Sequence, residues 1–131
     1  MVVLLLAGCA GSTTATAGPR STSGPPVATR TFGVAADGRS VTVRVGDVLA
    51  VRLPPPNATQ NWDRLTASDP GVVAVRSSRG GYPGRAPLVA TVVAGKAGRS
   101  RLSTQSDQSC LHTTPRCLPP QVGWSMTVTV R

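Results

Sequence analysis

The sequence predicts an all-β domain built as a sandwich of two sheets. Short segments alternate apolar and polar residues with a period of two, which is typical of strands with one buried face. Turn signals rich in Gly, Pro, Asn and Asp separate these segments at intervals of about eight to twelve residues. No segment has the apolar period of an amphipathic helix.

The first two predicted strands, 41–45 and 49–53, place apolar side chains at every second position. A turn at Gly46-Asp47 connects them, so the pair is either a hairpin or one strand that changes sheets across the turn. Three prolines, 54–56, end the second strand because a proline nitrogen cannot donate a ladder hydrogen bond.

The middle of the chain predicts a third strand at 62–67 and a fourth at 72–76, separated by a turn at Asp69-Pro70-Gly71. Segment 77–85 contains four Gly or Pro residues and is expected to be a loop. The fifth strand, 88–94, is the most continuously apolar and is therefore expected to be central in its sheet.

A sixth strand is predicted at 99–106, with Leu102 inward, and a seventh at 122–131. The seventh places four apolar side chains on one face: Trp124, Met126, Val128 and Val130. Seven short strands in one domain predict a seven-stranded immunoglobulin-like β-sandwich, in which Trp62 is expected to be the core tryptophan of the third strand.

The N-terminal residues predict export and lipid attachment. Leu6-Ala7-Gly8-Cys9 follows the apolar run 2–5 and matches a lipobox, so residues 1–8 are interpreted as a signal peptide and Cys9 as the lipidated residue. The lipid would hold the protein on the cell membrane, facing outside the cytoplasm. No basic residue precedes Cys9, so either the signal is truncated and the true start lies upstream of Met1, or the match is accidental.

Residues 9–31 predict a flexible tether between the lipid and a folded domain at 32–131. The tether consists mainly of Gly, Ser, Thr, Ala and Pro, which cannot bury enough apolar surface to fold. No apolar run reaches the length of a membrane-spanning helix, so the lipid is the expected membrane contact.

The charge balance is strongly basic, with 14 Lys and Arg against 5 acidic residues and a net charge of +9. The arginines are scattered along the chain, so nucleic acid is not the expected partner. Two alternatives stay open: arginine is simply the ordinary surface residue of this protein, or the charge attracts anionic lipid or anionic envelope polymers, which needs no specific site.

The three cysteines fit an exported protein. Cys110 and Cys117 are separated by six residues and predict a disulfide in an oxidising compartment, whereas Cys9 is assigned to the lipid. The same region offers Cys110, His112 and Cys117 as metal ligands, but a fourth ligand is missing. With one histidine and no nucleophile elbow or cofactor motif, no catalytic site, metal or cofactor is predicted.

Two segments carry a resemblance to known families. Ala67-Ser68-Asp69-Pro70-Gly71-Val72-Val73-Ala74-Val75 resembles bacterial immunoglobulin-like modules, and so does Val93-Ala94-Gly95-Lys96-Ala97-Gly98-Arg99-Ser100-Arg101-Leu102. The second segment is also similar to chagasin-like inhibitors of papain-family cysteine peptidases. That family inserts three adjacent loops into the peptidase cleft, so the resemblance implies three binding loops here.

The loops around 54–61, 77–85 and 109–120 are the candidate contact surface, and the candidate binding residues lie in them or next to them. The first family motif, N-P-T-T-G-[YF]-x-W, is matched in part, and so is the second, G-x-G-G, whereas the third, R-P-W, is not kept as a unit. The candidates are Asn57, Thr59 and Trp62 in the first loop, Gly80, Gly81 and Tyr82 in the second, and Arg116 and Trp124 around the third.

Two functions follow from the sequence. The first is a non-enzymatic, lipid-anchored binding or accessory module of the cell envelope that presents loops from a β-sandwich to a protein partner. The alternative is a chagasin-like inhibitor of papain-family cysteine peptidases that uses the same loops.

Overall fold

The computed structural model describes residues 29–131. The predicted signal peptide, Cys9 and most of the predicted tether lie outside the described residues. Nine strands are described: β1 (Thr29–Phe32), β2 (Ser40–Val43), β3 (Val48–Leu53), β4 (Asn61–Trp62), β5 (Thr66–Ala67), β6 (Val73–Arg79), β7 (Leu88–Ala94), β8 (Gly98–Asp107) and β9 (Gly123–Val130). Two short 3-10 turns, Val34–Ala36 and Ser109–His112, are the only helical segments between residues 29 and 131.

The strands form two sheets that pack face to face. The first sheet has the order β1-β3-β7-β6, and the second has the order β2-β9-β8-β4, with β5 also paired to β8. Most pairs are antiparallel, but β1 lies parallel to β3 and β2 lies parallel to β9. The predicted all-β, immunoglobulin-like sandwich is confirmed. Neither helical segment in residues 29–131 is long and apolar enough to cross a membrane.

Apolar side chains that alternate along each strand fill the space between the sheets. Strand β7 buries every second residue from Leu88 to Ala94 and lies between β3 and β6, which confirms the central position predicted for 88–94. Leu102 and Met126 face these residues from the second sheet and are at most 1% exposed. Full burial of one such side chain stabilises a fold by about 1.5–3 kcal/mol.

The structure has nine strands where the sequence predicts seven. Segment 62–67 is divided into β4 and β5 because its register against β8 slips by one residue: Trp62 pairs with Ser106, whereas Thr66 pairs with Ser103. The other added strand, β1, includes residues 29–31 of the predicted tether. Its Phe32 packs against the core and so keeps this segment on the first sheet.

The ends of two strands also differ from the prediction. Segment 77–79 is not loop, since β6 continues through a bulge after Val75 and pairs with β7 as far as Arg79. Strand β2 ends at Val43, and Val45 is 54% exposed rather than inward. The turn after β2 carries the chain into the first sheet, which selects the sheet-changing alternative over the hairpin.

Candidate functional site

Three loops meet at one end of the sandwich. We name them loop A (54–60, between β3 and β4), loop B (80–87, between β6 and β7) and loop C (108–122, between β8 and β9). The strand register brings them together, because Leu53 pairs with Leu88, and Asn61 pairs with Asp107. These loops contain most of the residues that the resemblance assigns to binding.

Loop B is fastened to loop A by Arg85 and to the start of β4 by Asn61. The Arg85 guanidinium donates from Nη1 to the Gln60 carbonyl oxygen at 2.8 Å and from Nη2 to the Asn57 carbonyl oxygen at 2.7 Å. In the opposite direction, Asn61 at the start of β4 donates from Nδ2 to the Ala86 carbonyl oxygen at 2.9 Å. Hydrogen bonds with a charged donor are among the stronger ones in proteins, so the two loops are held as one body.

Loop A is fastened to loop C by Gln60, which is 3% exposed. Its Nε2 donates to the Pro120 carbonyl oxygen at 3.1 Å, and its Oε1 accepts a hydrogen bond from Ser106 Oγ at 2.7 Å. Ser106 Oγ in turn accepts from the backbone nitrogen of Val122 at 2.8 Å. A buried polar network whose members are all paired makes the surrounding backbone rigid.

The tip of loop A is a tight turn formed by exposed residues 57–59. Asn57 Oδ1 accepts hydrogen bonds from the Thr59 nitrogen at 3.0 Å, from Thr59 Oγ1 at 3.2 Å and from the Gln60 nitrogen at 2.8 Å. This side chain therefore replaces backbone partners and fixes the turn locally. Asn57 and Thr59, two of the candidate binding residues, thus shape and present this tip.

Loop B begins with two glycines that have positive φ angles, +70° at Gly80 and +77° at Gly81. A Cβ at Gly80 would collide with the Pro87 carbonyl oxygen, and one at Gly81 would lie 2.6 Å from the Trp62 carbonyl oxygen. These two candidates therefore allow a close approach of backbones. The next candidate, Tyr82, is half-buried and stacks on His112 of loop C with the ring centroids 5.6 Å apart.

Loop C is closed by the predicted disulfide between Cys110 and Cys117, which is confirmed. The two Cα atoms are 5.4 Å apart, and the Cys117 nitrogen donates to the Cys110 carbonyl oxygen at 3.0 Å. His112 Nε2 lies 2.8 Å from Asp107 Oδ1, which connects this loop to the end of β8. The candidate Arg116 is exposed on the same loop.

The two tryptophans do not belong to the exposed surface. Trp62 and Trp124 are each 2% exposed, and each indole nitrogen donates to a backbone carbonyl, that of Pro54 at 2.6 Å and that of Gly33 at 3.1 Å. The expectation that Trp62 is a core residue agrees with this burial. Both rings are packed in the core, so neither is exposed on the surface, and their roles as binding residues stay predictions.

The metal-ligating side chains of the three loops can be checked directly. Residues 29–131 contain no group of three His, Cys, Asp or Glu side chains that could hold a metal ion. The alternative in which Cys110, His112 and Cys117 bind a metal is contradicted, since the two cysteines are bonded to each other. What the loops offer is a hydrogen-bonded surface with exposed polar, basic and apolar side chains.

The residues that join the loops were not among the sequence candidates. Gln60, Asn61 and Arg85 carry the network, and Leu118 is the most exposed large apolar residue, at 91%, of residues 29–131. One signal was available: Gln60 and Asn61 lie inside the segment 57–62, which matches the first family motif in part. Arg85 and Leu118 stand in segments that gave no comparable signal.

Comparison with known proteins gives similarity in structure but not in sequence. No protein-family model and no curated protein matches the chain. The cysteine protease inhibitor EhICP2 from Entamoeba histolytica has a similar solved structure, with a TM-score of 0.60, 12% identity, and coverage of 82% of this chain and 100% of that chain. Amebosin gives a TM-score of 0.50 at 11% identity, with coverage of 79% and 99% respectively. At such low identities these similarities show a shared fold.

Proposed function

We propose that this protein inhibits papain-family cysteine peptidases by inserting loops A, B and C into the catalytic cleft. The observation that carries the proposal is the hydrogen-bond network that joins these three loops through Gln60 and Arg85. A fold shared with a solved cysteine protease inhibitor supports this function over the general envelope-binding module. The proposed activity is non-enzymatic.

The hydrogen bonds of the loops explain how a peptidase could bind them without cleaving them. A peptidase cleaves a segment that lies extended across its subsites, whereas the loop A tip is held in a turn by three hydrogen bonds to Asn57 Oδ1. A pre-organised surface also loses little conformational entropy on binding. Tight binding with slow cleavage is therefore the expected result.

A titration of papain with the full chain tests the function. The parent protein carries Cys9→Ser, which removes a thiol that could exchange with the catalytic cysteine, and papain is activated with a reductant that is then removed. We expect activity to fall linearly to zero at one equivalent, while mass spectrometry finds the chain intact. Full papain activity at micromolar protein, or a chain cut in the loops, would contradict the proposal.

We also propose that the inhibitor is exported and held on the outer face of the cell membrane by lipid on Cys9. The lipobox at 6–9 and the oxidised pair Cys110–Cys117 support this location. There the basic surface would also attract anionic lipid or envelope polymers. Mass spectrometry of the protein made in a bacterial host tests the anchor: a diacylglyceryl mass on Cys9 is expected, and an unmodified Met1 would overturn it.

A further inference from the structure

Leu118 projects from loop C into solvent with 91% of its surface exposed. The other exposed large apolar residues of the described chain, Val34, Val45 and Val122, are exposed by 54%, 54% and 40%. Single exposed apolar side chains are common on protein surfaces, so exposure alone does not indicate a function. The backbone around Leu118 distinguishes it from an ordinary surface residue.

That backbone is fixed on both sides of Leu118. Cys117 precedes it and is bonded to Cys110, whereas Pro119 and Pro120 follow it and have restricted φ angles. The Pro120 carbonyl oxygen accepts a hydrogen bond from the buried Gln60 side chain at 3.1 Å. An apolar side chain on a rigid loop can be buried by a partner with little further loss of backbone freedom.

The charges near Leu118 indicate what kind of surface would accept it. Residues 108–122 include no acidic side chain, and Arg116 is exposed two positions before Leu118. A matching surface is therefore an apolar depression whose rim is neutral or acidic. Residues that dominate interfaces are those that fill such pockets and lose all contact with water.

We propose that Leu118 is the apolar anchor of the inhibitor, the side chain that fills an apolar subsite in the peptidase's cleft. The inference rests on the proposed inhibitory function and adds to it a residue that determines which peptidases bind tightly. Peptidases with an apolar subsite at this position are the preferred partners, and those with a polar or basic one bind weakly.

Inhibition of papain by substituted full-length chains, all carrying Cys9→Ser, tests the anchor. The variants are Leu118→Ala, Leu118→Asp and Leu118→Met, and the matched control is Val45→Ala, an exposed apolar residue at the opposite end of the sandwich. Burial of a whole leucine side chain predicts an inhibition constant raised about 10- to 100-fold by Leu118→Ala. Leu118→Asp should raise it further, whereas Leu118→Met should stay within about threefold of the parent.

A second measurement separates buried apolar contact from any effect on loop structure. Burial of apolar surface on binding makes the heat-capacity change negative, so calorimetry at several temperatures should give a less negative value for Leu118→Ala than for Val45→Ala. Equal inhibition and equal heat-capacity changes for these two variants would overturn the anchor while the inhibitory function stands. Absence of inhibition by the parent chain would overturn both.

Discussion

At the scale of single residues, Arg85 is the side chain on which the alignment of loops A and B depends. Its two nitrogens reach two different carbonyl oxygens, at 2.8 and 2.7 Å, and a lysine has only one nitrogen to offer. Arg85→Lys keeps the charge but shortens the side chain by one bond and removes the fork of two nitrogens. The arginine therefore acts through geometry, beyond the charge that it shares with the other exposed arginines.

We expect Arg85→Lys to weaken papain inhibition about tenfold and to lower the free energy of unfolding by about 1 kcal/mol, since one hydrogen bond to a charged donor is lost at a partly exposed site. The matched control is Arg99→Lys, which changes an exposed arginine at the other end of β8. Inhibition constants and urea unfolding curves measure both effects. An equal response of the two variants would show that charge alone matters.

Gly80 shows a different kind of residue requirement, one of space. Gly80 has a φ of +70°, which favours glycine, and the Pro87 carbonyl oxygen occupies the position that a Cβ would take. We expect Gly80→Ala to lower the free energy of unfolding by about 2–3 kcal/mol, because backbone strain adds to the collision. Gly123→Ala is the control, since nothing lies within 4 Å of its added Cβ. Equal unfolding midpoints for the two variants would contradict this account.

At the scale of elements, the disulfide is what gives loop C a defined shape. Loop C spans 108–122 with only one short 3-10 turn, and the Cys110–Cys117 bond closes its first half. In the chain-entropy model so short a closed loop stabilises the fold by about 2.5 kcal/mol. Reduction should therefore release the segment that carries Leu118 while the sheets remain folded.

This predicts that a reductant weakens inhibition by the parent chain. Dithiothreitol added during the papain assay should raise the inhibition constant toward that of the double variant Cys110→Ser, Cys117→Ser. The double variant is the control, because its own inhibition constant should not respond to reductant. A parent chain that inhibits equally with and without reductant, after loss of the disulfide is verified by thiol labelling, would exclude this role.

The elements also show what local sequence can and cannot predict. The alternation that predicts 49–53 and 88–94 as strands arises from burial of one face of each strand. This pattern is visible within each segment without knowledge of its partner strands. The division into β4 and β5 depends on the register against β8, and β1 depends on pairing with β3. Such long-range pairing leaves little trace in a short window of sequence.

At the scale of the whole molecule, the candidate site is assembled from loops far apart in the chain. A resemblance to a three-loop family predicted which segments meet, and the strand register brings them together. The third family motif is not kept as a unit: Trp124 is packed in the core, and a disulfide closes the first half of the loop that carries the exposed Leu118. Composition alone could not predict that Trp124 is buried and Leu118 exposed, since this depends on which side chains the fold leaves in solvent.

The net charge of the molecule predicts that it binds an anionic membrane even without a lipid attached to Cys9. All the described arginines are exposed, and the full chain carries a net charge of +9. Each basic group near an anionic bilayer contributes about 1 kcal/mol at physiological salt, and this attraction falls off within a Debye length.

The full chain with Cys9→Ser should therefore sediment with phosphatidylserine-containing vesicles at low salt and dissociate at about 0.5 M salt. Phosphatidylcholine vesicles are the control and should bind little at either salt concentration. Equal binding to both kinds of vesicle, insensitive to salt, would mean that apolar contact rather than charge brings the protein to the membrane.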